Sequence, residues 1–161
     1  FQNRLAPVIA FLKAIGVWFH PHPWLNLFVP GSRADAYLSD VFAELTPDDL
    51  GGGPILLYPF LRARLTRPLL RVPDEPVVFL LGLLRTAPPD DQNALTEMIA
   101  GNRDLFERAR AVGGTQYPIG SVPFSRVDWV RHFGPEYGRL VAAKARYDPR
   151  RILTPGQGIF R

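Results

Sequence analysis

The apolar positions of this chain switch between two periods. Leu5, Val8, Ile9, Leu12 and Ile15 recur at helical spacing, and Gly16 ends that run. His20-Pro21-His22-Pro23 is an extended entry, because proline disfavours helix in the residue before it. Trp24 to Val29 then alternates as a strand, closed by Pro30-Gly31. Ser32 is placed to cap a helix over 33–45, with Tyr37, Leu38, Val41, Phe42 and Leu45 on its apolar face. Gly51-Gly52-Gly53-Pro54 turns the chain into a second strand, Ile55 to Phe60. The Arg- and Pro-rich stretch 61–76 is expected as a surface loop, and Val77 to Leu84 as a third strand long enough to be central. Residues 91–112 form the longest helical pattern, carrying Leu95, Met98, Ile99, Leu105, Phe106 and Ala109; Gly113-Gly114 closes it. Thr115 to Ile119 reads as a fourth strand.

The order strand, helix, strand, strand, helix, strand is the split βαβ pattern. It predicts an α+β fold, a ferredoxin-like antiparallel sheet with helices on one face. After Ile119 the pattern changes. Ser125 is placed to cap a short helix through Asp128, Trp129 and His132, and a second helix runs over 135–147 until Asp148-Pro149 breaks it. The chain thus divides into residues 1–120, a binding unit, and 121–161, a segment whose irregular tail is expected to leave that unit and pack elsewhere. Phe1 to Leu5 has the character of mid-helix, so further residues are expected upstream.

Strand alternation marks candidate chemistry. Leu25, Leu27 and Val29 share one face and should meet the helices; Trp24, Asn26 and Phe28 share the other. An amide on an apolar, aromatic face needs a hydrogen-bond partner, which a neighbouring loop or a ligand can supply. The second strand is apolar on both faces, with Leu56, Tyr58 and Phe60 on one and Ile55, Leu57 and Pro59 on the other. Its sheet therefore needs cover on both sides: helices on one, and a partner domain or a ligand cavity on the other. Near the end, Gly156-Gln157-Gly158 offers backbone free to approach another group closely, with one amide able to face a planar heterocycle or simply a surface turn.

Composition narrows this further. The chain has 161 residues, 47% hydrophobic and 21% charged, enough for one domain with a real core. It has no cysteine, which removes disulfides and thiolate chemistry. No apolar run approaches the roughly 20 residues that span a bilayer. The net charge of +4 comes from scattered arginines without aromatic interleaving, so neither nucleic acid nor membrane is the expected partner. His20-Pro21-His22 has no further ligand at metal spacing, and no nucleophile elbow or phosphate loop is present.

Several segments in order resemble the cytokinin dehydrogenases of the vanillyl-alcohol-oxidase group. They are His22-Pro-Trp-Leu-Asn-Leu-Phe-Val-Pro30, Gly53-Pro-Ile-Leu-Leu-Tyr-Pro59, Gln116-Tyr117, Asp128-Trp-Val-Arg-His-Phe-Gly134, Lys144, Tyr147-Asp-Pro149 and Leu153-Thr-Pro-Gly-Gln-Gly-Ile-Phe160. The resemblance implies FAD as cofactor, held by an N-terminal domain of the same polypeptide. It implies oxidation of the C–N bond that joins the substituent of an N6-substituted adenine, with hydride passing to FAD and the imine hydrolysing to adenine and an aldehyde. The family's catalytic Asp and flavin-linking His fall outside these 161 residues, so this segment alone is expected to be inactive.

By motif position the resemblance places Trp24 and Asn26 in the substrate pocket, with Leu56, Phe60 and Leu84 lining the same cavity. It places Gln157 against the flavin, with Gly120 and Ser121 near flavin and substrate. Plant members carry a Tyr-Leu pair where Gly120-Ser121 stands, which points to a bacterial-type relative with a different or wider pocket. Two other readings stand beside this one. An alcohol or sugar oxidase of the same fold would use the same flavin, whereas a ferredoxin-like binding module would use none.

Overall fold

A computed structural model describes residues 2–153 and 157–160. Phe1, with which the expected upstream helix begins, and Thr154-Pro155-Gly156, part of the terminal motif, lie outside the described residues. The described residues form an α+β fold with a four-stranded antiparallel sheet and six α-helices. In sequence order these are α1 (Gln2–Ala14), β1 (Leu25–Pro30), α2 (Gly31–Glu44), α3 (Pro47–Leu50), β2 (Ile55–Leu61), β3 (Val77–Leu83), α4 (Gln92–Ala111), β4 (Thr115–Gln116), α5 (Arg126–Phe133) and α6 (Glu136–Tyr147). The strand order is β2-β3-β1-β4.

Burial explains the sheet. Leu25, Leu27 and Val29 on β1 are fully buried and share a core with Tyr37, Leu38 and Val41 of α2 and with Leu105, Phe106 and Ala109 of α4. That is the helix-facing set expected from alternation. Leu81 and Leu83 lie opposite Leu27 and Leu25, so β3 extends the same core. The Tyr37 hydroxyl donates to Leu105 O at 2.8 Å and locks α2 to α4; burial raises its pKa.

Four expectations need correction. Ser32 is not the cap of α2. That helix starts at Gly31, two residues before the expected start, and both Ser32 N and Oγ donate to the Glu75 carboxylate, at 2.9 and 2.6 Å. β4 ends at Gln116 instead of Ile119, because Pro118 has no N–H and Ile119 N turns back onto Tyr117 O at 2.7 Å. A short helix, α3, stands where none was expected; Thr46 and Asp49 form a reciprocal capping box and Pro47 opens it. Finally, helices do not cover the whole of one sheet face. α2 and α4 pack over β1, β3 and β4, so Ile55, Leu57 and Leu61 on β2 remain 39%, 41% and 59% exposed.

Residues 121–133 pack on α4. Arg103 Nη1 donates to Asp128 at 2.9 Å, and the Phe106, Phe124 and Trp129 rings follow one another at 4.8 Å centroid spacing. Ser125 does cap α5, in a capping box with Asp128.

Candidate functional site

The β1–β3–β2 register sets one wall. Asn26 lies opposite Gly82, and Gly82 lies opposite Leu56, so these three form a row on the face away from the core. The next row is Phe28, Leu80 and Tyr58. Phe28 meets Phe60 edge-on at 6.3 Å and Tyr117 at 5.7 Å. Leu84 follows Gly82 by two residues and is half-buried. Trp24 stands just before β1, 37% exposed, with its ring 6.1 Å from that of His22. Asn26 is 4% exposed, and its Nδ2 is buried without a hydrogen-bond partner.

Gly82 is the contact sequence reasoning missed. A Cβ there would come within 3.2 Å of Asn26 Oδ1 and 3.4 Å of Leu56 Cβ. A glycine inside a strand signals such a close approach, so the signal was present. The row therefore carries a notch with an unpaired amide at its side. The wall offers an amide, an indole and aromatic edges, groups that recognise and orient a flat ligand without moving a proton.

The other three expected site residues also come together. Gly120, Ser121 and Gln157 line one cleft of about 530 Å³ with Ile99, Val122, Pro123, Phe124, Arg126 and Gly158. The tail reaches it because Trp129 Nε1 donates to Gln157 O at 3.2 Å and Tyr137 Oη donates to Ile159 O at 2.9 Å. The Gln157 side chain is exposed in that cleft. Gly120 presses on β1: a Cβ would meet Trp24 O at 3.0 Å and Asn26 N at 3.1 Å. Ser121 N donates to Trp24 O at 2.6 Å. The two sets of residues thus share the backbone of Trp24.

Of the polar groups behind the wall, Asn102 and Arg85 were not among the candidate residues from sequence, and Gln116 entered only through its motif. Asn102 is fully buried on α4 and donates to the Pro23 and Ser121 carbonyls. Its signal was an amide in the apolar stripe Met98, Asn102, Leu105, Phe106, Ala109. Arg85 is 4% exposed and donates to Met98 O at 2.9 Å; burial lowers its pKa. Gln116 is fully buried with both amide atoms unpaired. Among the described residues no cluster of His, Cys, Asp or Glu could hold a metal ion, and no helix is long and apolar enough to cross a membrane.

Comparison with known proteins bears on this architecture. A family model described as cytokinin dehydrogenase 1, FAD and cytokinin binding, matches residues 1–160. An uncharacterized oxidoreductase of the fasciation locus of Rhodococcoides fascians is 42% identical over 157 residues, which cover 97% of this chain and 35% of that protein. Cytokinin dehydrogenase 10 of Oryza sativa subsp. japonica is 40% identical, covering 99% of this chain and 30% of its own length. Cytokinin dehydrogenase 3 of Arabidopsis thaliana is 37% identical, covering 100% and 31%. The chain spans about a third of the length of the curated relatives it matches. With that match running along nearly all of its residues, the chain belongs to the cytokinin dehydrogenase family, in the domain described as FAD and cytokinin binding.

Proposed function

We propose that this protein is the C-terminal, substrate-covering part of a longer FAD-dependent oxidoreductase that oxidises the C–N bond joining the substituent of N6-substituted adenines. In this reading residues 1–120 are a ferredoxin-like cap and residues 121–161 return to the flavin domain. The observation that carries it is the Asn26 amide, whose Oδ1 faces the notch at Gly82 and whose Nδ2 is a buried donor without a partner. An unpaired buried donor costs free energy that a ligand acceptor can return. A purine offers ring-nitrogen acceptors at its edge and a flat face for Trp24.

Leu56, Phe60 and Leu84 supply apolar area for the N6 substituent and exclude water from it. The residues of the cleft lined by Gly120, Ser121 and Gln157 fit a flavin edge. Gly120 allows close approach, Ser121 offers a hydroxyl, and Gln157 presents a free amide that can both donate and accept. FAD, when bound, supplies the hydride-accepting chemistry. The residues described here hold the adenine and align the substituent carbon attached to N6. The exposed apolar residues of β2 and of the C-terminal segment, among them Tyr58, Leu61, Ile152 and Leu153, support a flavin domain as the partner.

The test is flavin reduction in the full-length enzyme, followed anaerobically with N6-isopentenyl adenine, and separately with alcohols and sugars. Bleaching of the flavin by the adenine, with adenine and an aldehyde as products, is expected. Bleaching only by an alcohol or sugar would replace the substrate assignment.

A further inference from the structure

We propose that Asn102 is a positioning residue: from the middle of α4 its amide holds the backbone that presents Trp24 and ties it to the Gly120–Ser121 turn. This rests on the functional reading above and adds a residue that acts through both sets of site residues without touching either ligand.

Most carbonyls of the Pro21–Trp24 segment need donors from outside it. Pro21 and Pro23 have no N–H, so the segment can pair little with itself. Pro21 O receives Ala87 N at 2.9 Å, and His22 O receives Trp24 N at 2.8 Å. Trp24 O receives Ser121 N at 2.6 Å. Pro23 is buried, and the donor its carbonyl receives is Asn102 Nδ2, at 2.9 Å. The same nitrogen lies 3.1 Å from Ser121 O and 3.5 Å from Trp24 O. One amide nitrogen therefore meets carbonyls of Pro23 and Trp24 on one side and of Ser121 on the other.

Its burial shows what this position is for. Asn102 is 0% exposed, and its Oδ1 is buried without a partner. A leucine at that point of the α4 stripe would suit a mere core position better, since an unpaired buried acceptor is costly. Nor can the amide be turned over to relieve it. Oδ1 would then face three carbonyl oxygens and repel them. Asn102 is held in one orientation, as a donor. Loss of that donor frees Pro23 O and leaves the Ser121 N–Trp24 O bond alone to hold the Trp24 backbone to the turn. A displacement of about 1 Å at a reacting pair is expensive in rate.

The test uses the full-length enzyme. Asn102→Asp keeps the shape but replaces the donor by a carboxylate facing carbonyls. Leu105→Ala, on the same buried stripe, is the control for loss of stability alone. Asn102→Asp at pH 8 should raise KM for N6-isopentenyl adenine by about tenfold, the scale of one lost buried hydrogen bond. It should also move the flavin absorption band. A buried carboxyl among carbonyls takes up a proton more readily than a free one and then donates again. Both changes should therefore recover toward pH 5.5. Leu105→Ala should lower the melting temperature with KM and the band unchanged. If Asn102→Asp fails to fold, Asn102→Ser, which keeps a donor and leaves room for a bridging water, should show the same changes more weakly.

The absorption band needs no substrate. It therefore tests Asn102 even if the enzyme does not oxidise an adenine, an outcome that would overturn only the functional reading. Equal KM and band position in wild type and in the Asn102 variants, or changes that Leu105→Ala reproduces at matched melting temperature, would overturn the proposal.

Discussion

Gly82 lies directly opposite Asn26 across the β1–β3 pair, and a side chain there would press on the Asn26 amide, with a Cβ only 3.2 Å from Oδ1. The strand accepts a glycine, which weakens it, and the gain is room for the Asn26 amide, whose Oδ1 faces the missing side chain. Gly82→Ala should therefore raise KM for the adenine substrate more than it lowers the melting temperature, since alanine suits a strand at least as well as glycine. KM and melting temperature measured together decide it. An alanine variant with wild-type KM would mean that the notch is not occupied.

The two faces of β1 should fail differently. Leu27 is fully buried under α2 and α4. Leu27→Ala should cost about 2–5 kcal/mol of stability by emptying a core site. Trp24→Ala and Asn26→Ala in the full-length enzyme should instead lower kcat/KM, through lost stacking and a lost hydrogen bond, with smaller thermal effects. The opposite pairing of effects would turn the strand over and remove the pocket.

His132 and Asp128 give two separate acid transitions. Burial, with Arg71 nearby, moves the His132 pKa from 6.5 down to about 4. The folded value lies below the unfolded one, so the native state keeps the ring neutral. This site's contribution is complete above pH 6.5 and declines as the pH falls toward 4, because the unfolded state takes the proton first. The slope is at most about 1.4 kcal/mol per pH unit. Hydrogen bonds from Arg103, and then from Ser125, hold the Asp128 carboxyl well below the usual carboxylate range. Its contribution is present above pH 3.8 and is lost only as the pH falls below that. Melting temperature should thus decline in two stages. His132→Phe, which keeps the edge contacts to Phe124, Trp129 and Phe133, should flatten the first and spare the second. A first stage unchanged in that variant would assign it to another group.

Much of this was legible because the signals were local. The alternation of Leu25, Leu27 and Val29 fixed a core face, and the Ser125–Asp128 spacing fixed a helix start. Thr46-Pro47-Asp48-Asp49 carries the same capping signal, but the helix it opens is too short to show an apolar face. What sequence could not supply was long-range. Glu75 draws Ser32 away from capping across 43 residues. Asn102 meets Pro23 O across 79. Neither partner is visible from spacing, and both are fixed only when the sheet and α4 are in place. The exposure of β2 belongs to the same class, because it depends on where α2 and α4 come to rest.

Gln157 allows a clean separation of tether from contact. Its backbone carbonyl receives Trp129 Nε1 at 3.2 Å, whereas its side chain is exposed in the cleft with Gly120 and Ser121. Gly158, at φ 66°, bends the backbone beyond it, a conformation glycine adopts without strain. Gln157→Ala removes only the amide and leaves the carbonyl tether in place. Its thermal effect should be that of a surface change, within about 0.5 kcal/mol. In the full-length enzyme it should nevertheless shift the flavin absorbance and reduction potential, since a free amide at the ring edge stabilises one redox state over the other. Trp129→Phe cuts the tether instead, and should both destabilise α5 and loosen the tail, with a smaller flavin shift per degree of melting temperature lost. Spectrum, potential and melting temperature for both variants separate the two roles. A Gln157→Ala enzyme with wild-type spectrum and potential would place the flavin away from this cleft.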